Sequence, residues 1–298
     1  MPKAEFIRLS VCLSFALGLA PVVRCAYIYV PNDLANTEGN GGSLYPFSIR
    51  FTNSSMRYQQ VYDSAQFSQG PTNGAVITGV AFRADGSTRV PFSGTIPKLQ
   101  VNFSTTTKGP DGLSTNFSEN VGMDNAIVYG PSPLQIGSTR TFLDIQIRLT
   151  NPFLYQPKAG NLLLDVRNYE GIQTLDFPPD FDAALVTNDS VSRLYANSVD
   201  AASATGVDTF GLVTQFEIFP IPQLTNTIDT NAVIVTWPTY PKVFVLQSTS
   251  GLKPANWQSI SNGIVGNGTY QTLTLPRGSL GSEQFFRLVW ESGPPLGN

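Results

Sequence analysis

Histidine is missing from all 298 residues. That removes Ser-His-Asp and Cys-His catalysis and the commonest zinc ligand. Cysteine is almost missing. Cys12 and Cys25 are the only two, and both lie in or beside an apolar segment at the N-terminus. Charge is scarce as well, at 13% Asp, Glu, Lys and Arg, against about 25% in an average globular protein. No basic block occurs, which excludes nucleic acid and anionic lipid as partners bound through clustered Lys and Arg. No Gly-rich phosphate loop is present. Beyond the N-terminal segment there is no apolar run of about 18 residues, so no helical membrane span is expected in the mature chain.

Turn formers and apolar residues fill the space. There are 26 Gly and 22 Pro, and the hydrophobic fraction of 41% is enough for a core. Long helices are hard to place in such a chain, and the composition reads as all-β. Lys3 and Arg8 precede a mostly apolar run from Leu9 to Val23, the pattern of a secretory signal over residues 1–25. Cleavage after Cys25 puts Val23 and Cys25 at the −3 and −1 sites. An acylated Cys25 is the alternative, but Val22-Val23-Arg24 lacks the small residues that signal needs. After such cleavage the chain carries 15 basic and 20 acidic residues, net −5, and no cysteine. Its fold then depends on core size, without a disulfide. The expected location is secreted, extracellular or at the cell surface.

The clearest alternation runs from Thr141 to Leu149, with Leu143, Ile145, Ile147 and Leu149 on one face, and from Asn161 to Tyr169, with Leu162, Leu164 and Val166 on one face. A Pro-marked connection, Thr150 to Gly160, joins them. An antiparallel pair of half-buried strands in a sandwich core is expected. Further strands are expected at 26–30, 47–51, 57–62, 76–83 (Val76, Val80 and Phe82 inward), 99–103, 126–129, 191–195 and 212–219. Pro220-Ile221-Pro222 then breaks the pattern and marks a domain boundary. Five short strands follow at 233–237, 243–247, 257–260, 270–275 and 285–290. The expected organisation is a signal peptide (1–25), an antiparallel, jelly-roll-like β-sandwich (26–219), a linker (220–226) and a small β module (227–298).

Residues Val235-Thr236-Trp237-Pro238, Phe244 to Thr249, Trp257 with Ile260, and Phe285-Phe286-Arg287-Leu288 carry a resemblance to fibronectin-III-like modules at the ends of secreted bacterial proteins. Such modules carry no catalytic residues. Arg57 to Tyr62, Ile77 to Arg83 and Gly160 to Arg167 resemble segments of signal-bearing bacterial surface proteins of the PEP-CTERM-associated type. The chain departs from that group in ending at Gly293-Pro294-Pro295-Leu296-Gly297-Asn298, without the group's apolar sorting span. The resemblance implies an extracellular β-rich protein of unassigned activity.

Carboxylate chemistry is the only catalysis left open. Glycoside cleavage needs two Asp or Glu at a set separation, and Asp176, Asp180 or Asp182 with Glu119 or Asp124 are the candidates. Solvated loop acids are the simpler reading. Calcium wants several oxygen ligands from a flexible loop, and Asp176, Asp180, Asp182 and Asp189 are the candidate ligands, although their spacing matches no calcium motif. Tyr58, Tyr62, Tyr169 and Tyr195 are candidates for an aromatic platform binding carbohydrate, against the simpler reading of core packing. Sequons occur at Asn53, Asn102, Asn116, Asn188 and Asn267. The expectation is a non-enzymatic surface or matrix protein that needs no cofactor and binds an extracellular polysaccharide or surface protein through strand faces and loops. A carbohydrate-binding protein or glycosidase, and a calcium-stabilised structural module, are the alternatives.

Overall fold

β-Branched and aromatic alternation cut by Gly, Pro and Asn favours strands with tight connections, and these make up the protein. The computed structural model describes residues 7–8, 25–47, 55–71, 73–139, 143–171, 179–281 and 283–291. Among them the only helical pieces are 3-10 turns of three or four residues, and no helix is long and apolar enough to cross a membrane. The chain divides into two compact units between Pro220 and Ile221. After the two-residue β1 (Ile7–Arg8), the unit that starts at Cys25 contains β2 (Ala26–Val30), β3 (Gly41–Ser43), β4 (Met56–Tyr62), β5 (Ala75–Phe82), β6 (Phe92–Thr106), β7 (Ala126–Ser138) and β8 (Ile145–Tyr155). It continues with β9 (Asn161–Asn168), β10 (Phe181–Leu185), β11 (Val191–Ala196), β12 (Gly206–Asp208), β13 (Phe210–Leu212) and β14 (Thr214–Pro220).

These strands build a six-stranded sheet, β12-β11-β4-β9-β6-β7, and a four-stranded sheet, β2-β14-β5-β8. A short sheet, β13-β10-β3, continues the second, since β13 runs almost directly into β14 and Ala84, just past β5, bridges to Phe181. The main core lies between the sheets. Tyr58, Tyr62, Val101, Phe103, Leu162, Leu164 and Val166 meet Val80, Phe82, Ile145, Ile147, Phe153, Phe216 and Ile218 there. This is a β-sandwich.

The expected pairing of 141–149 with 161–169 is not found. β8 pairs with β5 and lies in the four-stranded sheet, while β9 pairs with β4 and β6 in the six-stranded one. Strand β8 also runs on to Tyr155, through residues expected to be loop. The chain then changes sheets in a 3-10 turn at Pro157–Ala159 that ends on Gly160, whose φ of 151° favours glycine. The Tyr155 hydroxyl donates to the Gly160 carbonyl at 2.9 Å and fastens the turn. Alternation identified the inward residues correctly but carried no information on which strand each run would pair with.

Nor does β9 have a wet face. Leu162, Leu164 and Val166 enter the main core, while Leu163 joins Val61, Leu113, Phe117, Leu194 and Ala196 in a second cluster. Leu113 and Phe117 come from the irregular segment between β6 and β7, which therefore covers the outer face of the six-stranded sheet. Polar residues under this cover bring their own partners, as buried polar groups must. Asp165 pairs with Arg57 at 2.7 Å and accepts from Gln59 Nε2 at 2.7 Å. Gln59 also donates to the Phe117 carbonyl at 3.1 Å and accepts from Asn120 Nδ2 at 3.0 Å.

The other unit contains β15 (Thr225–Ile228), β16 (Ala232–Pro238), β17 (Phe244–Thr249), β18 (Gln258–Ser259), β19 (Ile264–Gly266), β20 (Tyr270–Pro276) and β21 (Phe285–Trp290), together with β1. They form two four-stranded sheets, β15-β16-β20-β19 and β1-β21-β17-β18, around Val233, Val235, Trp237, Leu246, Leu273 and Phe286. Trp237 lies in this core, whereas Trp257 is half-buried, with the Arg287 guanidinium 4.2 Å from its ring centroid. Most of the expected signal segment, and the expected strand at 47–51 apart from Phe47, fall outside the described residues.

Burial of β9 on both faces predicts that Leu163→Ala and Leu164→Ala each cost about 2–5 kcal/mol. A strand with one solvated face would lose stability at only one of these neighbours. Urea denaturation of the two variants measures the difference.

Candidate functional site

Of the four tyrosines expected to form a platform, Tyr58 and Tyr62 are 0% exposed. They cannot meet a ligand. Tyr58 donates to Gln60 Oε1 at 2.5 Å, and the Tyr62 hydroxyl lies 2.9 Å from that of Thr214. Burial raises both phenols above the usual tyrosine range. The alternation of Tyr58, Gln60 and Tyr62 was legible, but the shared face points into the sandwich. Tyr195 is half-buried and stacks on Tyr45 with centroids 4.2 Å apart. Arg193, held by Asp208 at 2.8 Å, fills the space between Tyr195 and Phe210. Tyr169 lies under the Lys98 ammonium, 4.4 Å from its ring centroid. The four rings make no common surface.

The expected calcium ligands also separate. Asp176 lies outside the described residues. Asp182 is buried in β10, where it pairs with Arg83 and accepts from the Gly39 amide at 2.8 Å. Burial pushes its carboxyl above the usual range, and Arg83 and Gly39 pull it back. Its oxygens do come within 4.8 Å of those of Glu38 and Asp85. Glu38, however, accepts from the Gly86 amide and Asp85 from the Ser87 amide. Arg83 thus neutralises Asp182, while the exposed Glu38 and the half-buried Asp85 fasten the turn at Asp85–Ser87. Asp180 stands beside it, accepting from Ser87 Oγ at 3.3 Å. Glu119 and Asp124, the other expected carboxylates, fasten the segment between β6 and β7 by accepting from Ser114 Oγ and the Thr105 amide, each at 2.7 Å.

Asp189 sits elsewhere, in a polar groove of about 480 Å³ lined by Asp33, Glu38, Asn40, Asp63 and Asn188 among others. One carboxylate oxygen accepts from the Val191 amide at 2.9 Å, and the other is buried without a hydrogen-bond partner among the described residues. Burial, reinforced by the charges of Asp111 and Asp33, pushes its pKa up to about 6.

The arrangement best suited to a ligand was not anticipated. It is the outward face of the four-stranded sheet. Pairing registers align two rows across all four strands: Tyr29, Gln215, Ala81 and Gln146 in one, Tyr27, Glu217, Gly79 and Arg148 in the other. The intervening residues, Ile28, Phe216, Val80 and Ile147, face the core. A bulge in β5 between Ile77 and Gly79 makes this possible, because it lets Ile77 face inward and Gly79 outward. The same bulge puts Ile77, rather than the expected Val76, in the main core. Gly79 and Ala81 form the floor of a shallow trough of about 150 Å³ between larger neighbours.

On one side stands Tyr27, 53% exposed. Gln215 Nε2 donates to the Tyr29 hydroxyl at 2.9 Å, which fixes both side chains. Cys25 Sγ donates to Glu217 Oε1 at 3.5 Å, and burial with the Glu217 charge pushes that thiol up to about 11. On the other side Gln146 and Arg148 are exposed, and neither Arg148 nor Glu217 belongs to an ion pair among the described residues. The trough thus offers a ring, two amides, a carboxylate and a guanidinium on a rigid surface. A glycine inside an apolar strand was the one sequence signal for it. No protein-family model, curated protein or solved structure matches the chain.

Two outcomes follow from the acids. Asp182→Asn, which removes the carboxylate paired with the buried Arg83, is expected to cost about 3–5 kcal/mol in urea denaturation. Asp189 has a folded-state pKa above its unfolded value, so its stabilising contribution is complete below the unfolded pKa and is lost as pH rises through about 6. Asp189→Asn retains the oxygen that meets Val191. It is expected to melt about 2 °C above the parent at pH 8 and level with it at pH 4, by scanning calorimetry.

Proposed function

We propose that this chain is a secreted, non-enzymatic surface or matrix protein that binds an extracellular polymer through an open sheet face. The observation that carries the reading is the trough across β2, β14, β5 and β8. It is small and polar and lies on an outward sheet face, a place suited to an extended chain rather than to enclosing a small substrate. The composition agrees with it. Without imidazole the remaining route to hydrolysis is a carboxylate pair, and Asp182, Glu119 and Asp124 are committed to Arg83 and to loop amides and hydroxyls. The basic, apolar N-terminal pattern and the resemblance to bacterial surface proteins support export.

A retention assay tests the reading. The full chain is passed over immobilised cellulose, chitin, gelatin and duplex DNA, and the eluate is assayed for released sugar or peptide. Retention on a polymer other than DNA, with no product released, is the expected result. Turnover of any of them, or retention on none, overturns the proposal.

A further inference from the structure

We infer that the polymer held in the trough is a neutral polysaccharide, an inference that rests on the binding function proposed above. Glu217 and Arg148 face outward in one cross-strand row with Gly79 between them. Their strands are two apart, so their backbones stand about 10 Å from each other. The surface carries one charge of each sign, with no excess to attract a polyanion or a polycation. What remains is a dense set of donors and acceptors. Arg148 and Gln146 have donors that no described residue occupies, and one Glu217 oxygen accepts from no described residue.

Sugar hydroxyls both donate and accept, so they can satisfy a carboxylate and a guanidinium across the same floor. An apolar peptide would leave both charges desolvated and unpaired, at a large cost. The exposed ring of Tyr27 supplies an apolar face beside these groups, as needed for the C–H faces of a pyranose. The floor has the right depth. A Cβ at Gly79 would stand 3.0 Å from Glu217 Oε2 and 3.5 Å from the Ile147 carbonyl oxygen, so a larger residue would rise into the space between the rows. The rigid strand registers hold these groups in place before any ligand arrives, which lowers the entropy lost on binding.

The test uses the full chain with insoluble cellulose, chitin and β-1,3-glucan, with gelatin as a non-carbohydrate polymer, in low salt and in about 0.5 M NaCl, where exposed charge attraction is screened. The double variant Tyr27→Ala/Arg148→Ala changes two exposed side chains, and Gly79→Leu fills the trough. Retention on at least one polysaccharide is expected, unchanged by salt. Affinity is expected to fall about tenfold or more in the double variant, whose melting temperature should match the parent. Gly79→Leu is expected to lose retention too, and the double variant decides the matter if Gly79→Leu does not fold. Polysaccharide retention that the double variant leaves intact, or that salt abolishes, overturns the inference. Retention on gelatin alone, lost in the double variant, overturns the polysaccharide assignment and leaves the polymer-binding reading standing. Retention on none of the four overturns both.

Discussion

β4 and β9 are covered on both faces, and most of the structure from Cys25 to Pro220 follows from that. A strand with one wet face can send its polar side chains to water. A strand between two hydrophobic clusters cannot, and each polar group on it must find a partner inside. Gln60 shows how this is met. Its side-chain amide donates to the Leu212 carbonyl at 3.0 Å and accepts from the Leu212 amide at 2.8 Å. One glutamine thus replaces the two hydrogen bonds of a strand neighbour and ties the six-stranded sheet to the end of β13. Gln59, next along and facing the other way, does comparable work under the segment between β6 and β7 with Asp165, Asn120 and Phe117. Breaking one such contact strands another polar group in the interior.

This constraint also explains what sequence reading could and could not reach. Side-chain period is a local property, so the inward faces of β6, of β9 and of the run from β13 into β14 were legible in Val101 and Phe103, in Leu162, Leu164 and Val166, and in Leu212, Thr214, Phe216 and Ile218. Pairing is not local. The runs at 141–149 and 161–169 looked like neighbours because a short connection joins them, yet that connection crosses the sandwich. Tyr58 and Tyr62 could be read as an exposed platform, though core packing was the simpler reading, because alternation says that residues share a face without saying which side is wet. The acids between 176 and 189 clustered in sequence, but β10 carries Asp182 inward to Arg83 while Asp189 ends beside Asp33 and Asp111.

The trough was illegible for a related reason. Its rows draw on four strands whose residues lie between positions 27 and 217, and only the pairing registers align them. The bulge in β5 matters as much. In a regular strand Ile77 and Gly79 would share a face, and the polar rows would be broken by a large apolar side chain. The displaced register removes it from the surface and leaves a glycine there instead. A local irregularity in one strand has thus turned an ordinary outer face into a concave one.

The acid-lined groove beside Asp189 and the trough across the sheet make opposite electrostatic demands. In the groove, like charges crowd around a carboxyl whose second oxygen is buried and unbonded among the described residues, so part of its ionisation is suppressed near neutral pH. Its hydrogen-bonding capacity therefore changes across the range where Asp189 titrates. The trough is balanced, with one carboxylate and one guanidinium in the same cross-strand row. Its side chains stand on strands fixed by pairing registers and a bulge, so its donors and acceptors keep one spacing.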